Sequence, residues 1–347
     1  MPGVPELLVR RDDLATCRLV DGEPRREELR DGEAQLLVER LALTTNNITY
    51  AVYGDRLGYW RLFPAPEGWG RIPAWGYARV IGSGTGALPE GARVFGTVPI
   101  GRHLTVRPAP QPAGFMDVSP HRAGLSPIYN LYRPVEREGE DAELIMRPLF
   151  GTAVVLDGAL AEPGLDEVQT VVLTSASSKT AYGLGHLLRG RPVRTVALTS
   201  EARRAWVDGL GIYDEVLGYD ELSALRSSGG AVLIDFAGDR ALVRAVHDRL
   251  AGALVRSILV GFTHGRGERG ESPPAGPEVE FFFAPDEIVR RGREFAQRYA
   301  EAWRGFAPVA ARALHVRRIT DGEQLLHVYR DLLGGRADPA DGYVVSL

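Results

Sequence analysis

The stretch from Glu167 to Gly185, EVQTVVLTSASSKTAYGLG, constrains the fold more than any other part of this sequence. Gln169 to Leu173 is rich in valine and threonine and too short for a helix, so it reads as a buried strand. Thr174 to Ser178 is small and polar. From Lys179 onward the apolar residues Ala181, Leu184, Leu187 and Leu188 follow helical spacing. Strand, tight turn and helix open a phosphate-binding βαβ unit, in which an anion sits at the helix N-terminus. Such turns usually carry glycines so that a pyrophosphate can approach the backbone. This one carries Ser175, Ala176, Ser177 and Ser178. Among 41 Lys+Arg, Lys179 is the one lysine. A compact, movable ammonium at a helix start fits an anion, although one lysine must fall somewhere in any chain. SKT also echoes the GK[ST] of a nucleotide-triphosphate loop, but Thr174 and Ser178 stand where that loop needs glycine.

A chain of 347 residues has room for two domains with their own cores. With 44% hydrophobic and 25% charged residues it reads as a globular protein. A net charge of -4 gives no electrostatic reason to bind nucleic acid. The one cysteine, Cys17, excludes a disulfide framework and a cysteine-built zinc site. MPGVPELLVRRDD lacks the apolar core of a signal peptide, and no apolar run is long enough for a membrane span. The expected location is the cytoplasm, with no membrane partner.

Residues 1 to about 105 read as β-rich. EAQLLVERLAL, Glu33 to Leu43, alternates in part and ends at TTNN, a turn signal. YAVYGDRLGYW, Tyr50 to Trp60, is aromatic with two glycines. Further short strands with Gly/Pro turns predict a small barrel or sandwich. Pro108 to Arg147 is proline-rich and reads as irregular, the type of long segment that often carries function. From about Leu149 helices alternate with strands. LFGTAVVLDGALAE is helical in character. Strands are expected at Val193–Leu198, Ala231–Phe236, Ser257–Gly261 and Phe281–Phe283. Helices are expected after Ser200, at Asp239–Leu250 and at Asp286–Trp303. This alternation predicts a doubly wound parallel sheet. The tail ends in a helix, HVYRDLLGG, and a strand, GYVVSL.

This order of elements resembles the medium-chain dehydrogenase/reductase superfamily, in its zinc-free quinone-reductase-like and enoyl-reductase-like branch. Asn46-Asn47 is similar to the asparagine at that family's active-site turn. IPAWGYARVIGSG with LPEGARVFG resembles the paired strands of its GroES-like barrel, and LFGTAV the segment entering the cofactor domain. GGAVLIDFAG and ILVGFTHG resemble later strands of that domain, and GGRADPADGYVVSL the strand returning to the barrel. The SASSKTA turn and the SPHRAGLSPIYNLY insert point to an outlying subfamily known mainly as a domain of unknown function. The resemblance implies an α/β chain: a GroES-like β-barrel domain at 1–147, a Rossmann domain at 148–304 and a return to the barrel at 305–347. It also implies a cleft between the two, NADP(H) as cofactor and no zinc.

The resemblance implies roles for individual residues as well. Thr152, Ser177, Ser178, Lys179, Thr180, Thr199, Ser200, Arg203, Gly261, Thr263 and His264 become candidate cofactor contacts. An NAD enzyme usually ends its second strand in an acid that takes the ribose hydroxyls. Here Thr199, Ser200 and Arg203 suit a 2′-phosphate, while Glu201 keeps NAD open. Asn47 and Thr152 would meet the nicotinamide end or a substrate carbonyl. Tyr59 stands a dozen residues past Asn47, at the spacing of the proton-donating tyrosine of enoyl reductases, with Tyr50 as its alternate. The same aromatic run also reads as packing against the barrel. His121, Arg122, Tyr129, Asn130 and Tyr132 form a polar-aromatic insert that reads as a substrate lid or as a dimer contact. The implied activity is reduction of an activated C=C or C=O in a small or carrier-bound substrate. The rivals are a non-catalytic NADP(H) sensor or scaffold, and a protein using its serine-rich turn for another phosphorylated ligand.

Overall fold

A computed structural model of the chain describes residues 5–21, 29–86, 88–136, 139–161, 167–260 and 275–347. The chain divides into two compact units, Met1–Ile145 with Leu314–Leu347, and Met146–Ala313. The first begins with β1 (Glu6–Arg10), β2 (Cys17–Val20), β3 (Ala34–Leu43) and helix α1 (Thr45–Val52). Next come β4 (Trp69–Gly70), β5 (Pro73–Ser83), β6 (Arg93–Pro99), β7 (His103–Val106), β8 (Pro108–Gln111), β9 (Gly114–Asp117) and β10 (Leu131–Pro134). Helix α2 (Asp141–Ala159) then leads into the second unit.

The second unit alternates strand and helix: β11 (Val168–Leu173), α3 (Lys179–Leu188), β12 (Arg194–Thr199), α4 (Glu201–Gly209), β13 (Glu215–Gly218), β14 (Gly230–Asp235) and α5 (Arg240–Leu250). It ends with β15 (Leu254–Leu259), β16 (Val279–Phe281) and the long helix α6 (Ala284–Ala313). The chain then returns to the first unit as β17 (His315–Ile319), helix α7 (Gly322–Leu333) and β18 (Asp341–Ser346).

All pairings in the second unit are parallel, in the order β13-β12-β11-β14-β15-β16. Counted within the unit, that is the Rossmann order, reversing between its first and fourth strands. Val171, Val172, Leu173, Val196, Leu198, Val232, Leu233 and Ile234 are all buried, as strands covered on both faces must be. In the first unit β3 runs through the middle of a nine-stranded sheet ordered β17-β18-β3-β5-β6-β10-β9-β8. It also pairs with β7, so that Ala34 has both Ser83 and Val106 as partners. The fold class is α/β, a GroES-like barrel with a Rossmann sheet.

Two stretches differ from their sequence reading. TTNN is a helix start rather than a turn between strands. Thr44 and Asn47 form a reciprocal capping box, and the helix it starts is α1. The aromatic run Tyr50 to Trp60 completes α1 and passes into a short 3₁₀ turn at Tyr59–Arg61. The insert from Pro108 is not irregular either. It folds as β8, β9, two 3₁₀ turns and β10.

The insert is organised by a buried ion pair. Arg122 and Asp117 meet at 2.8 Å with side chains 2% and 0% exposed. The guanidinium also donates to the Tyr129 carbonyl at 3.0 Å and the Tyr132 hydroxyl at 3.2 Å. It lies 4.9 Å from the Phe63 ring centre. The other carboxylate oxygen of Asp117 accepts from the Arg107 and Ser119 N–H groups and the Ser119 hydroxyl. Tyr132 stacks on Phe115 and lies against Gly96, where an added Cβ would stand 2.4 Å from the ring. Removing one partner from such a pair leaves an uncompensated buried charge. Arg122→Leu is expected to lower stability by about 3–5 kcal/mol. Denaturant unfolding is the check; a midpoint equal to that of the parent would mean that the pair contributes nothing.

Candidate functional site

In the second unit the chain leaves β11 at Leu173 and enters α3 at Lys179. Thr174 is fully buried and bridges the ends of the two central strands. Its hydroxyl donates to Asp235 at the end of β14 and accepts the N–H groups of Phe236 at 2.9 Å and Ala237 at 3.2 Å. Asp235 also accepts from the Ala237 and Gly238 N–H groups. Burial pushes its carboxyl above the usual range, opposed by these hydrogen bonds. Ser175 has φ +44°, a left-handed backbone that a glycine would adopt without strain. The resemblance puts Ser177, Ser178 and Thr180 at the glycine positions of the turn, but the left-handed position is Ser175.

Tyrosines brace the turn. Tyr219 is hydrogen-bonded to the side chain and backbone of Ser175. Tyr213 donates to the Ala176 carbonyl at 2.9 Å, and its ring occupies the space beside Gly185, where an added Cβ would be 2.5 Å away. Ser178 is the N-cap of α3, its hydroxyl accepting the Ala181 N–H at 3.3 Å. Ser177, Lys179 and Thr180 are half-buried in the turn and the first turn of the helix. They stand where a macrodipole and N–H groups favour an anion.

The strand beside this turn, β12, ends at Thr199, which is buried, and Ser200 is the exposed N-cap of α4. Arg203 is half-buried one turn on. Glu201, the acid that left NAD open, faces Arg204 at 3.7 Å, and Arg204 also holds Glu221 at 2.7 Å. Thr152 lies inside α2 and donates its hydroxyl to the Pro148 carbonyl at 3.2 Å. Gly261, Thr263 and His264 lie outside the described residues.

In the first unit Tyr50, Tyr59 and Tyr129 come together. Ring centres are 4.8 Å apart for Tyr50 and Tyr59, 5.3 Å for Tyr59 and Tyr129, and 6.0 Å for Tyr50 and Tyr129, all edge-to-face. The Tyr59 and Tyr129 hydroxyls are 3.1 Å apart. Tyr50 accepts from the Trp75 indole N–H at 3.1 Å. Burial pushes Tyr50 and Tyr129 above the ordinary phenol value.

Asn47 is spent on structure. Its oxygen accepts the Thr44 N–H at 2.7 Å and its nitrogen donates to the Pro73 carbonyl at 2.8 Å, tying α1 to β5. Of the insert residues, Tyr129 joins this cluster. Asn130 and Tyr132 are held by Arg122, and burial pushes the Tyr132 phenol up to about 12. His121 is half-buried, its imidazole held below the usual value by burial and then by Arg122. Among the described residues no group of three or more His, Cys, Asp or Glu side chains forms a metal site. Among them, too, no helix is long and apolar enough to cross a membrane.

Solved structures of known oxidoreductases share this fold. Over 99% of each chain the structure is similar to CurA from Vibrio vulnificus in complex with NADPH, with TM-score 0.65 and 14% identity. It is similar over 99% of each chain to the yhdH oxidoreductase from Salmonella enterica in complex with NADP, with TM-score 0.62 and 15% identity. Its similarity to a mutant form of the enoyl thioester reductase from Candida tropicalis covers all of both chains, with TM-score 0.59 and 12% identity. The fold is thus that of the medium-chain dehydrogenase/reductases. Within it, the chain belongs to the family described as "Protein of unknown function (DUF2855)", which matches residues 41–338. No curated protein matches the sequence.

Thr174 generates a direct expectation. Thr174→Val removes the hydroxyl shared by Asp235, Phe236 and Ala237, at a cost of about 1–3 kcal/mol for the unmet groups. Hydrogen exchange at the Phe236 amide should speed up accordingly. An exchange rate unchanged from the parent would mean that the bridge does not hold the turn.

Proposed function

We propose that this protein is an NADPH-dependent, zinc-free reductase acting on an activated C=C or C=O of a small or carrier-bound substrate. The observation that carries the reading is the braced serine turn at the point where the Rossmann order reverses, between β11 and β14. The donor set there fits a dinucleotide. Ser177, Lys179 and Thr180 offer side-chain donors at the N-terminus of α3, and Thr199, Ser200 and Arg203 suit a 2′-phosphate. Because Tyr219 is bonded to Ser175, the pyrophosphate is held by side chains more than by the turn backbone. NADPH, when bound, supplies a hydride. The chain's own residues supply position, a polarising donor for the substrate oxygen and a proton from the tyrosine cluster.

Known proteins of this fold support the reading: CurA was crystallised with NADPH and yhdH with NADP, and one is an enoyl thioester reductase. A cytoplasmic location and assembly as a homodimer belong to the same proposal. The burial of Tyr50, Tyr59 and Tyr129, 4–6% exposed, favours a second reading, a non-catalytic NADP(H) sensor. A reductase oxidises NADPH with some enone, thioester or quinone, whereas a sensor binds it and turns nothing over.

Two substitutions probe the cofactor site. NADPH should bind more tightly than NADH, and Arg203→Glu should abolish that preference by placing like charge against the 2′-phosphate. Titration by nicotinamide fluorescence is the measurement; equal affinities in the parent would reject the NADP reading. Lys179→Met should remove a charged hydrogen bond of about 1.5–3 kcal/mol, weakening NADPH roughly ten- to a hundred-fold. Lys179→Arg should rescue poorly, because a planar fork fits a tight turn badly. A dissociation constant for Lys179→Met equal to the parent's would take the lysine out of the site.

A further inference from the structure

The large sheet of the first unit has two edges that are not alike. At one end lies β8, which carries Pro108 and Pro110. A proline has no N–H to offer an added strand, so that edge resists further pairing. At the other end lies β17, which pairs with β18 alone among the described strands and contains no proline. The His315 N–H donates to the Ala340 carbonyl, on the β18 side. Alternate residues of a strand turn their backbone groups to opposite sides, so Val316 and Arg318 present theirs to the open edge.

The side chains of β17 are open as well. A strand in a packed sheet usually buries one face, but His315, Val316, Arg317 and Arg318 are all exposed. Val316 is 38% exposed, and the side chains of His315, Arg317 and Arg318 are 64%, 62% and 71% exposed. One shared carboxylate anchors each face. His315 and Arg317 face Asp341 at 3.8 and 3.2 Å. Arg318 meets Asp141 at 2.9 Å, and Asp141 also holds Arg40. Three guanidiniums thus share two carboxylates, which leaves this edge positive.

We infer that β17 is a docking edge for an acidic, extended segment of another protein, which joins the sheet as an added strand. The outward backbone groups of Val316 and Arg318 supply the main-chain hydrogen bonds, and the side chains read the sequence of the partner. On one face His315 and Arg317 select acids at alternate positions. On the other, Val316 selects an apolar residue and Arg318 a further acid. A second copy of β17 does not fit, because cross-strand pairing would set base against base. Such docking depends on neither the cofactor nor the reaction proposed above.

The test uses the full chain and a fluorescein-labelled peptide, Glu-Val-Glu-Glu-Val-Glu, followed by fluorescence anisotropy. The parent should bind it with a dissociation constant below about 1 mM, and roughly 0.5 M salt should release it. Arg317→Gln combined with Arg318→Gln should weaken binding about ten-fold. That variant leaves Asp141 with Arg40 and Asp341 with His315, so the fold is kept. Val316→Pro removes an outward N–H without loss of a ladder bond; it should abolish binding with the circular dichroism of the parent retained. If Val316→Pro does not fold, the glutamine variant alone decides. No binding by the parent, equal binding of Gln-Val-Gln-Gln-Val-Gln, displacement of the peptide by NADPH, or unchanged affinity in either folded variant would each overturn the assignment. So would a parent that sediments as a dimer and becomes a monomer in Val316→Pro, because a second copy would then hold the edge.

Discussion

The hydroxyl of Thr174 is the contact on which the second unit's site depends. It ties the end of β11 to the end of β14, where the order of the parallel sheet reverses, the point at which sheets of this kind bind ligands. A glycine turn at that place is held by its own small size. A turn of Ser175, Ala176, Ser177 and Ser178 must be held from outside, since a serine at φ +44° is strained. The structure provides that support from three directions: Asp235 through Thr174, Tyr219 through Ser175, and Tyr213 through Ala176.

The first unit uses the same device with charge. Arg122 is fully buried, yet each direction of its guanidinium meets an acceptor or a ring: Asp117, the Tyr129 carbonyl, Tyr132 and Phe63. A charge so enclosed makes its surroundings nearly all-or-none, because any partner lost leaves a desolvated ion. That is how a segment rich in proline and turns becomes a fixed wall that delivers the Tyr129 phenol to Tyr50 and Tyr59.

Much of the Rossmann unit was legible in the sequence because its strands are covered on both faces. VVL, VAL and VLID are continuous apolar runs, and no other element type gives short runs of that kind at such spacing. β13 and β17 were not legible. EVLG is four residues long, and His315 to Arg318 are all exposed, so neither leaves a pattern. Helix α1 was hidden by composition: threonine, asparagine and tyrosine are poor helix formers, and the helix depends on a cap and a long-range bond to Pro73. The places of Ser177, Ser178, Lys179 and Arg203 at the starts of α3 and α4 could be read from order alone. The contacts of Trp75 and Asp235 are ones that no local pattern encodes; Tyr50 and Trp75 are 25 residues apart, and Thr174 and Asp235 are 61 apart.

β18 lies between β17 and β3, with Tyr343 opposite Leu43 and Val345 opposite Leu41. The first unit is thus completed by a strand that follows the whole second unit in sequence. The Rossmann unit, Met146–Ala313, is contiguous and has all its strands available earlier. During synthesis the Arg40–Leu43 edge of β3 lacks its β18 partner until roughly 300 residues later, whereas the second unit has its described strands together before that. A strand edge left open is an aggregation hazard for as long as it is exposed. The polar breaks at Glu39 and Arg40 within it, which later pair with Arg79, Arg93 and Asp141, act as gatekeepers during that interval.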